Sequence, residues 1–222
     1  MIDTRSRRKA AWAAALIACG VTGAAAALGF TARAADARQE PKAAQATATP
    51  KPVPAEKAEI DQPVRDFAFR NILAEDAKNA TIKLSDYKGK KAVIAVFMAN
   101  RCGTTWTYEK KIGNLIKDYK NKDVAILAIH SNYQETDAEI KGQLEQRNLI
   151  VPLLDDKKDQ AFVRYIGAAV TPTFLVIDKN GILRYQGSFD QRRDESKTYV
   201  RNAVDAVLAN KPVEVKSTRA FG

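Results

Sequence analysis

Two continuous apolar runs constrain the fold of this chain most strongly. The segment "KAVIAVFM" occupies residues 91–98, and "DVAILAIH" occupies residues 123–130. A strand that alternates apolar and polar residues can leave one face in water, whereas a run without alternation has to be covered on both faces. The two runs therefore predict central strands of a sheet that carries helices on both of its faces.

The rest of the chain supplies further strands and the covering helices. Short strands are predicted in "DFAF" and "ATIKL", with a turn in "LSDYKGK", and a β-hairpin is predicted in "TFLVID", "KNG" and "ILRYQG". Helical spacing of apolar residues predicts helices in "WTYEKKIGNLIKDYK", "ETDAEIKGQLEQRN", "KKDQAFVRYIG" and "DESKTYVRNAVDAVLAN". This order predicts an α/β fold with one mixed sheet, in a folded domain that spans residues 60–210 and is followed by a tail at residues 211–222.

The N-terminal region has the composition of an export signal. Residues 1–34 pass from the basic start "RSRRK" through an Ala-rich apolar run to "TARA", which predicts a signal peptide cleaved after Ala34. An uncleaved anchor, a twin-arginine signal and lipidation of Cys19 in "LIAC" stay open as alternatives. Residues 35–59 predict a flexible linker, because they hold Pro, Ala, Thr, Lys and Glu with little to bury. We expect an exported, periplasmic or otherwise extracytoplasmic protein that meets a membrane only if its N-terminus is retained or lipidated.

Composition excludes several classes of function. The formal charge is +10, but the basic residues are interleaved with acids and form no aromatic-studded stripe, so we expect no nucleic-acid partner. His130 is the single histidine and ends an apolar run, which favours a structural role. One histidine and few cysteines predict no metal site, and the absence of a Gly-rich phosphate motif predicts no nucleotide cofactor.

Cys102 is the residue that most favours chemistry. It lies in "VFMANRCGTTW", between a predicted buried strand and a helix that begins at or near the cysteine. A thiol at a helix N-terminus meets free N–H groups and the positive end of the helix dipole, and both lower its pKa. Arg101 would add a positive charge, and Thr105 could donate its hydroxyl to the sulfur. We weigh a reactive thiol above an inert buried one.

These features together resemble a known family. The order of elements, with "LSDYKGKKAVIAVFMANRC" and "VTPTFLVIDKNGILRYQGSFD", resembles the thioredoxin-like superfamily, and within it the redoxin (alkyl hydroperoxide reductase and thiol-specific antioxidant) family, over residues 60–210. The resemblance implies a thioredoxin-like fold, antioxidant or thiol–disulfide activity, and a cis peptide bond between Thr171 and Pro172 beside the reactive cysteine. It also implies a substrate groove lined by Thr171, Pro172 and Trp106.

The chain departs from two subfamily patterns. A disulfide reductase needs a second thiol to resolve its mixed disulfide, but Thr105 stands where that cysteine would be. Peroxiredoxins usually carry Thr or Ser three residues before the reactive cysteine and a proline further upstream, where this chain has Ala99 and Ile94. The tail resembles that of exported redoxins in which a further cysteine follows the glycine that corresponds to Gly222.

Two functions follow as expectations. The first is a thiol-dependent oxidoreductase, peroxiredoxin-like or exchanging disulfides, in which Cys102 attacks a peroxide or a disulfide. An external thiol reductant or a thioredoxin-like donor then completes its cycle. The second is a non-catalytic thioredoxin-fold protein that binds an extended polypeptide in the groove beside Pro172. The pKa of the thiol separates them, because a binding module has no need of a lowered value.

Overall fold

The computed structural model describes residues 57–76, 80–192, 194 and 196–222. These residues belong to one compact unit. The predicted signal peptide at residues 1–34, and the predicted linker as far as residue 56, lie outside the described residues. None of the described helices is both long and apolar enough to cross a membrane.

The described part contains seven strands and five α-helices, as well as a 3₁₀ helix at Leu84–Tyr87. The strands are β1 Ala68–Asn71, β2 Thr81–Lys83, β3 Ala92–Met98, β4 Val124–His130, β5 Leu153–Asp155, β6 Thr173–Asp178 and β7 Leu183–Gly187. The helices are α1 Gly103–Thr107, α2 Glu109–Tyr119, α3 Asp137–Gln146, α4 Ala161–Ile166 and α5 Tyr199–Leu208.

All seven strands form one mixed sheet in the order β2-β1-β5-β4-β3-β6-β7. Strands β3, β4 and β5 are parallel, and the register pairs Met98 at the end of β3 with His130 at the end of β4. Strand β6 runs antiparallel to β3, and β7 pairs with β6 as the predicted hairpin. The carboxyl ends of β3 and β4 therefore lie at the same end of the sheet as the start of β6. Cys102 follows β3 at this end, and Pro172 directly precedes β6.

Each face of the sheet carries its own core, as the unalternating apolar runs predict. Ile94 and Val96 of β3 point to one face, where buried residues of α2, α3 and α5 cover them. Val93, Ala95 and Phe97 point to the opposite face, where they pack with Phe162 and other residues of α4. Because every residue of β3 is buried, the strand is held on both sides, and the loop that follows it starts from a fixed point. The predicted fold class, one mixed sheet with helices on both faces, is confirmed.

Three local predictions are corrected. The single helix predicted after Cys102 is two helices, because α1 ends at Thr107 and α2 begins after Tyr108. The three-residue strand β5 was missed, since its short apolar segment directly follows Pro152 and shows no period. The predicted turn "LSDYKGK" contains the 3₁₀ helix, where the carboxylate of Asp86 accepts the N–H of Lys83.

Backbone contacts continue beyond residues 60 and 210. At the N-terminal side, the N–H of Ala58 donates to the carbonyl of Tyr165 at 2.9 Å. At the C-terminal side, Val213 is buried in the core beside α5, and Ser217 forms a parallel bridge with Gln186 of β7. The tail therefore packs against the described domain.

Candidate functional site

The turn before Cys102 is held by a buried carboxylate. Strand β3 ends at Met98, and the next residues turn so that the N–H of Cys102 donates to the carbonyl of Ala99 at 3.2 Å. The carboxylate of Glu135 accepts the N–H of Asn100 at 3.0 Å through Oε2 and the N–H of Arg101 at 2.8 Å through Oε1. Glu135, in the loop after β4, thus fixes the two peptide groups that precede the cysteine.

Glu135 also meets the single histidine of the chain. His130 is fully buried at the end of β4, and its Nδ1 lies 3.2 Å from Oε2 of Glu135. Burial by itself raises the pKa of the Glu135 carboxyl, but its close contact with His130 and the hydrogen bonds from the N–H groups of Arg101 and Asn100 outweigh it and lower that pKa to about 2. Neither ring nitrogen of His130 has a hydrogen-bond partner among the described residues, so the structural role predicted for it stays a prediction.

The thiol of Cys102 lies against the loop before β6. The peptide bond between Thr171 and Pro172 is cis, as the resemblance implied. Sγ of Cys102 lies 3.1 Å from the carbonyl oxygen of Thr171, to which the thiol can donate. Cys102 is partly exposed, whereas Pro172 is buried. Cys102 therefore lies beside the cis-proline loop, as predicted, and contacts it through Thr171.

The surroundings of Cys102 lower the pKa of its thiol. Partial burial acts to raise that pKa, but hydrogen bonds to the sulfur outweigh it and favour the thiolate. The donors are the side chain of Thr171, the backbone N–H and hydroxyl of Thr105, and the backbone N–H of Thr104. The carbonyl of Thr171 acts in the opposite direction, because it accepts a hydrogen bond only from the protonated thiol.

Thr105 is fully buried, although it carries a hydroxyl. In the described part of the chain its Oγ1 has no hydrogen-bond partner of good geometry. Hydrogen bonding from this hydroxyl to the sulfur nevertheless contributes to the lowered pKa of Cys102. The thiolate is a stronger acceptor for this hydroxyl than the neutral thiol is. Thr105 therefore stabilises the charged form of Cys102.

The first helix contributes less through its dipole than we expected. Cys102 is the N-cap of α1, as predicted, but α1 contains only five residues before Tyr108 interrupts it. A macrodipole requires aligned peptide groups over several turns, so a five-residue helix supplies little of it. The individual N–H groups of Thr104 and Thr105 provide the stabilisation instead.

Arg101 and Trp106 flank the cysteine without contacting the sulfur through a hydrogen bond. The exposed guanidinium of Arg101 pairs with Glu139 of α3 at 3.3 Å, whereas the main hydrogen bonds that lower the pKa of Cys102 come from Thr171, Thr105 and Thr104. Trp106 is half-buried, and its indole N–H donates to the carbonyl of Asn100 at 2.7 Å. The guanidinium of Arg147 covers its ring, with 4.2 Å from Cζ to the ring centroid. The catalytic part predicted for Arg101 and the substrate contact predicted for Trp106 stay predictions.

Comparison with known proteins assigns the chain to a family. The family model described as Redoxin matches residues 58–204, which include Cys102, Thr171 and Pro172. The chain belongs to the Redoxin family. The resemblance drawn from "VFMANRCGTTW" and "VTPTF" is thereby confirmed.

Among curated proteins, the chain is similar to bacterial thiol–disulfide oxidoreductases. It is 28% identical over 131 residues to thiol-disulfide oxidoreductase ResA of Bacillus thuringiensis subsp. konkukian, a match that covers 59% of this chain and 73% of the relative. It is 32% identical over 106 residues to ResA of Geobacillus kaustophilus, covering 48% of this chain and 59% of the relative. Both relatives carry the name of a thiol-dependent enzyme, the class predicted from the sequence.

Solved structures share the fold. A hypothetical protein from Sinorhizobium meliloti 1021 has a TM-score of 0.62 at 26% identity, covering 74% of this chain and 94% of that one. A putative thiol:disulfide interchange protein DsbE from Chlorobium tepidum has a TM-score of 0.57 at 22% identity, covering 68% of this chain and 99% of that one. The second likeness, at this identity, supports the fold alone.

Proposed function

We propose that this protein is an exported thiol–disulfide oxidoreductase that uses Cys102 as its single nucleophile and depends on an external thiol for turnover. One observation carries the proposal: a partly exposed thiol beside the cis Thr171–Pro172 peptide bond, with donors around its sulfur that lower its pKa. The thiolate is the reactive form of cysteine, so a lowered pKa enlarges the reactive fraction at neutral pH. The names of the curated relatives support the same class of activity.

The exchange proceeds through one mixed disulfide. The Cys102 thiolate attacks one sulfur of a substrate disulfide, a new S–S bond forms, and the other substrate sulfur leaves as a thiolate. An external thiolate then attacks the substrate sulfur of the mixed disulfide, and Cys102 leaves as a thiolate. A low pKa also makes Cys102 a good leaving group, so the donors around its sulfur favour this second step. Thr105, in the position of a resolving cysteine, cannot carry out the second attack.

A peroxide is the alternative substrate from the same family. The Cys102 thiolate would attack one peroxide oxygen, the O–O bond would break, and the second oxygen would leave and take up a proton as an alcohol or water. The sulfur would become a sulfenic acid, which two external thiols would reduce to the thiol as they form a disulfide and release water. The departures at Ala99 and Ile94 from the peroxiredoxin pattern favour the disulfide as the substrate.

The test compares wild-type protein with Cys102→Ser, both carrying Cys19→Ser so that Cys102 is the single thiol of the wild-type background. Alkylation with iodoacetamide across a pH series should give a pKa below that of a free thiol. Cys102→Ser should abolish labelling, together with the thiol-dependent reduction of a model disulfide. If Cys102 is alkylated only after the protein unfolds, the proposed enzymatic activity is refuted, and the alternative of a polypeptide-binding module takes its place. If the protein turns over a peroxide but no disulfide, the peroxide is its substrate and the disulfide assignment is wrong.

The proposed location and domain division rest on the N-terminal sequence. We propose that residues 1–34 are removed on export and that residues 35–59 link the new N-terminus to the thioredoxin-like domain at residues 60–210, with residues 211–222 as its tail. N-terminal sequencing of native protein should begin at Ala35. An intact Met1 would contradict processing, and a lipidated Cys19 would place the protein on a membrane surface instead.

A further inference from the structure

The C-terminal segment 213–222, which we call the tail segment, runs along the outer edge of the sheet. It starts at the buried Val213, and Lys216 forms an ion pair with Asp61, with 2.6 Å between Nζ and Oδ2. The N–H of Gln186 in β7 donates to the carbonyl of Lys216, and the carbonyl of Gln186 accepts the N–H of Thr218, each at 3.1 Å. These paired backbone bonds hold the segment to the edge of β7.

Thr218 fixes the segment most closely. Its Oγ1 accepts the N–H of Ser188 at 3.0 Å and lies 2.6 Å from the hydroxyl of Tyr185. The segment crosses Gly187 so closely that a Cβ added there would lie 2.8 Å from the backbone nitrogen of Thr218, and closer still to its Oγ1 and its carbonyl oxygen. A glycine is required at this crossing, since any side chain would displace the segment.

Beyond this anchor, residues 219–222 reach the loop that borders the reactive thiol. A Cβ added at Gly222 would lie 2.7 Å from Cβ of Val170, 3.1 Å from the carbonyl oxygen of Thr171 and 3.2 Å from its nitrogen. That carbonyl is the atom that Sγ of Cys102 contacts at 3.1 Å. Cys102 and Gly222 therefore share one backbone group as a neighbour.

Gly222 lies over the backbone of Thr171, to which a second peptide could bind. Within the described residues the N–H of Thr171 donates to no acceptor, and its carbonyl is occupied only by the thiol. An extended peptide binds to a neighbouring chain through such unpaired N–H and C=O groups. A polypeptide that reaches the sulfur along this loop would collide with residues 219–222, whereas a small molecule needs less room to approach Cys102, which is partly exposed.

We propose that residues 219–222 determine which substrates reach Cys102, by admitting small disulfides while a polypeptide disulfide reacts only after the tail segment leaves the Val170–Thr171 loop. This inference rests on the proposed function for the reactivity of Cys102, but it concerns access rather than thiolate formation. When the segment opens and closes faster than the thiol reacts, the rate for a large substrate equals its unhindered rate multiplied by the open fraction.

The experiment measures the access of a small reagent and of a large reagent to Cys102, with the same maleimide reaction in both cases. Second-order rate constants are determined for N-ethylmaleimide and for a maleimide linked to a long polymer, in proteins that carry Cys19→Ser. Removing residues 219–222 leaves Thr218 and its hydrogen bonds in place. We expect the ratio of the polymer rate to the small-reagent rate to rise about tenfold, which corresponds to about 1.4 kcal/mol of binding by the segment. The ratio cancels any change in the thiolate fraction.

Two full-length variants complete the design. Gly222→Val should push the segment off Val170 and raise the same ratio, so the test stands even if the shortened chain is unstable. Arg219→Ala is the matched control, because this exposed side chain can be removed while the backbone of the segment stays in place. An unchanged ratio in both the shortened protein and Gly222→Val would overturn the inference. A thiol with the pKa of a free cysteine in every variant would instead refute the proposed function.

Discussion

Thr105→Val should raise the pKa of Cys102 and, in the thiol form, leave the fold equally stable or more stable. Valine has nearly the shape of threonine, so the substitution removes the hydroxyl and keeps the buried volume and the backbone N–H. The hydroxyl is fully buried and has no hydrogen-bond partner of good geometry among the described residues, and its interaction with the sulfur favours the thiolate. The Thr105 hydroxyl therefore destabilises the fold when Cys102 is a thiol and stabilises it when Cys102 is a thiolate.

The magnitude follows from the hydrogen bond that is lost. A hydrogen bond to a charged group contributes about 1.5–3 kcal/mol, and one pKa unit corresponds to about 1.4 kcal/mol. The sulfur has other donors, Thr171 and the N–H groups of Thr104 and Thr105, so we take the lower limit and expect an increase of about one pKa unit. Burying a hydroxyl without a partner costs about 1–3 kcal/mol, and the variant recovers part of it at low pH.

The sign of the pH dependence provides a second measurement. The folded state lowers the pKa of Cys102, so the wild type gains stability as pH rises from the folded pKa to the ordinary pKa of a thiol, and it loses that gain as pH falls through the folded pKa. In Thr105→Val this gain should be smaller. Urea unfolding on both sides of the folded pKa should show the variant equal to or above the wild type at the lower pH, and relatively weaker at the higher pH.

Thr104→Val is the matched control, since Thr104 lies in the same helix and supplies only its backbone N–H to the sulfur. The pKa of Cys102, measured by iodoacetamide alkylation across pH, should remain at the wild-type value in this variant. Equal shifts in Thr104→Val and Thr105→Val, or no shift in either, would refute the role assigned to the buried hydroxyl.

Three further predictions test the neighbouring groups. Thr105→Cys should place a second thiol one helical turn from Cys102, form an internal disulfide on oxidation and increase disulfide reductase turnover; absence of the bridge by mass spectrometry would contradict it. Glu135→Gln should lower the free energy of unfolding at neutral pH by about 3 kcal/mol, because the folded state lowers the pKa of this carboxyl to about 2. The stability from this carboxylate is present above its ordinary pKa and is lost as pH falls through about 2. A difference in unfolding free energy between wild type and variant that stays constant across an acid titration would contradict this. Arg101→Ala should leave the alkylation pKa of Cys102 nearly unchanged, since Glu139 pairs with the guanidinium; a clear rise would restore the catalytic part predicted from the sequence.

The sequence predicted the fold well because its signals are long and local. Strands β3 and β4 are unbroken apolar runs, and Cys102 follows the end of β3 within a few residues of the sequence. The site was predicted less completely. Glu135 was missed because one acid in the loop "SNYQET" has no local signal, and it reaches the turn before Cys102 only through the parallel pairing of β3 with β4. The break in the helix after Cys102 escaped prediction because the apolar spacing continues through Tyr108.

Arg101 shows the limit of reasoning from adjacency. It precedes the cysteine in the sequence, which suggested a charge beside the sulfur, but the preceding turn directs its long side chain to Glu139. Its backbone N–H, which the sequence does not distinguish from any other, makes the shorter contact with Glu135. Side-chain direction at a turn depends on backbone geometry and on distant residues, so residue type alone did not predict it.

The tail segment on β7 also bears on how copies of this protein meet one another. The outer strands of an open sheet present unpaired N–H and C=O groups that can pair with the edge of another molecule and begin aggregation. In the described part of the chain, one outer strand, β2, has only three residues, and the other, β7, is bonded to residues 216–218. Neither edge leaves a long row of free backbone groups, so the seven-stranded sheet remains open in topology but offers little template for edge-to-edge growth.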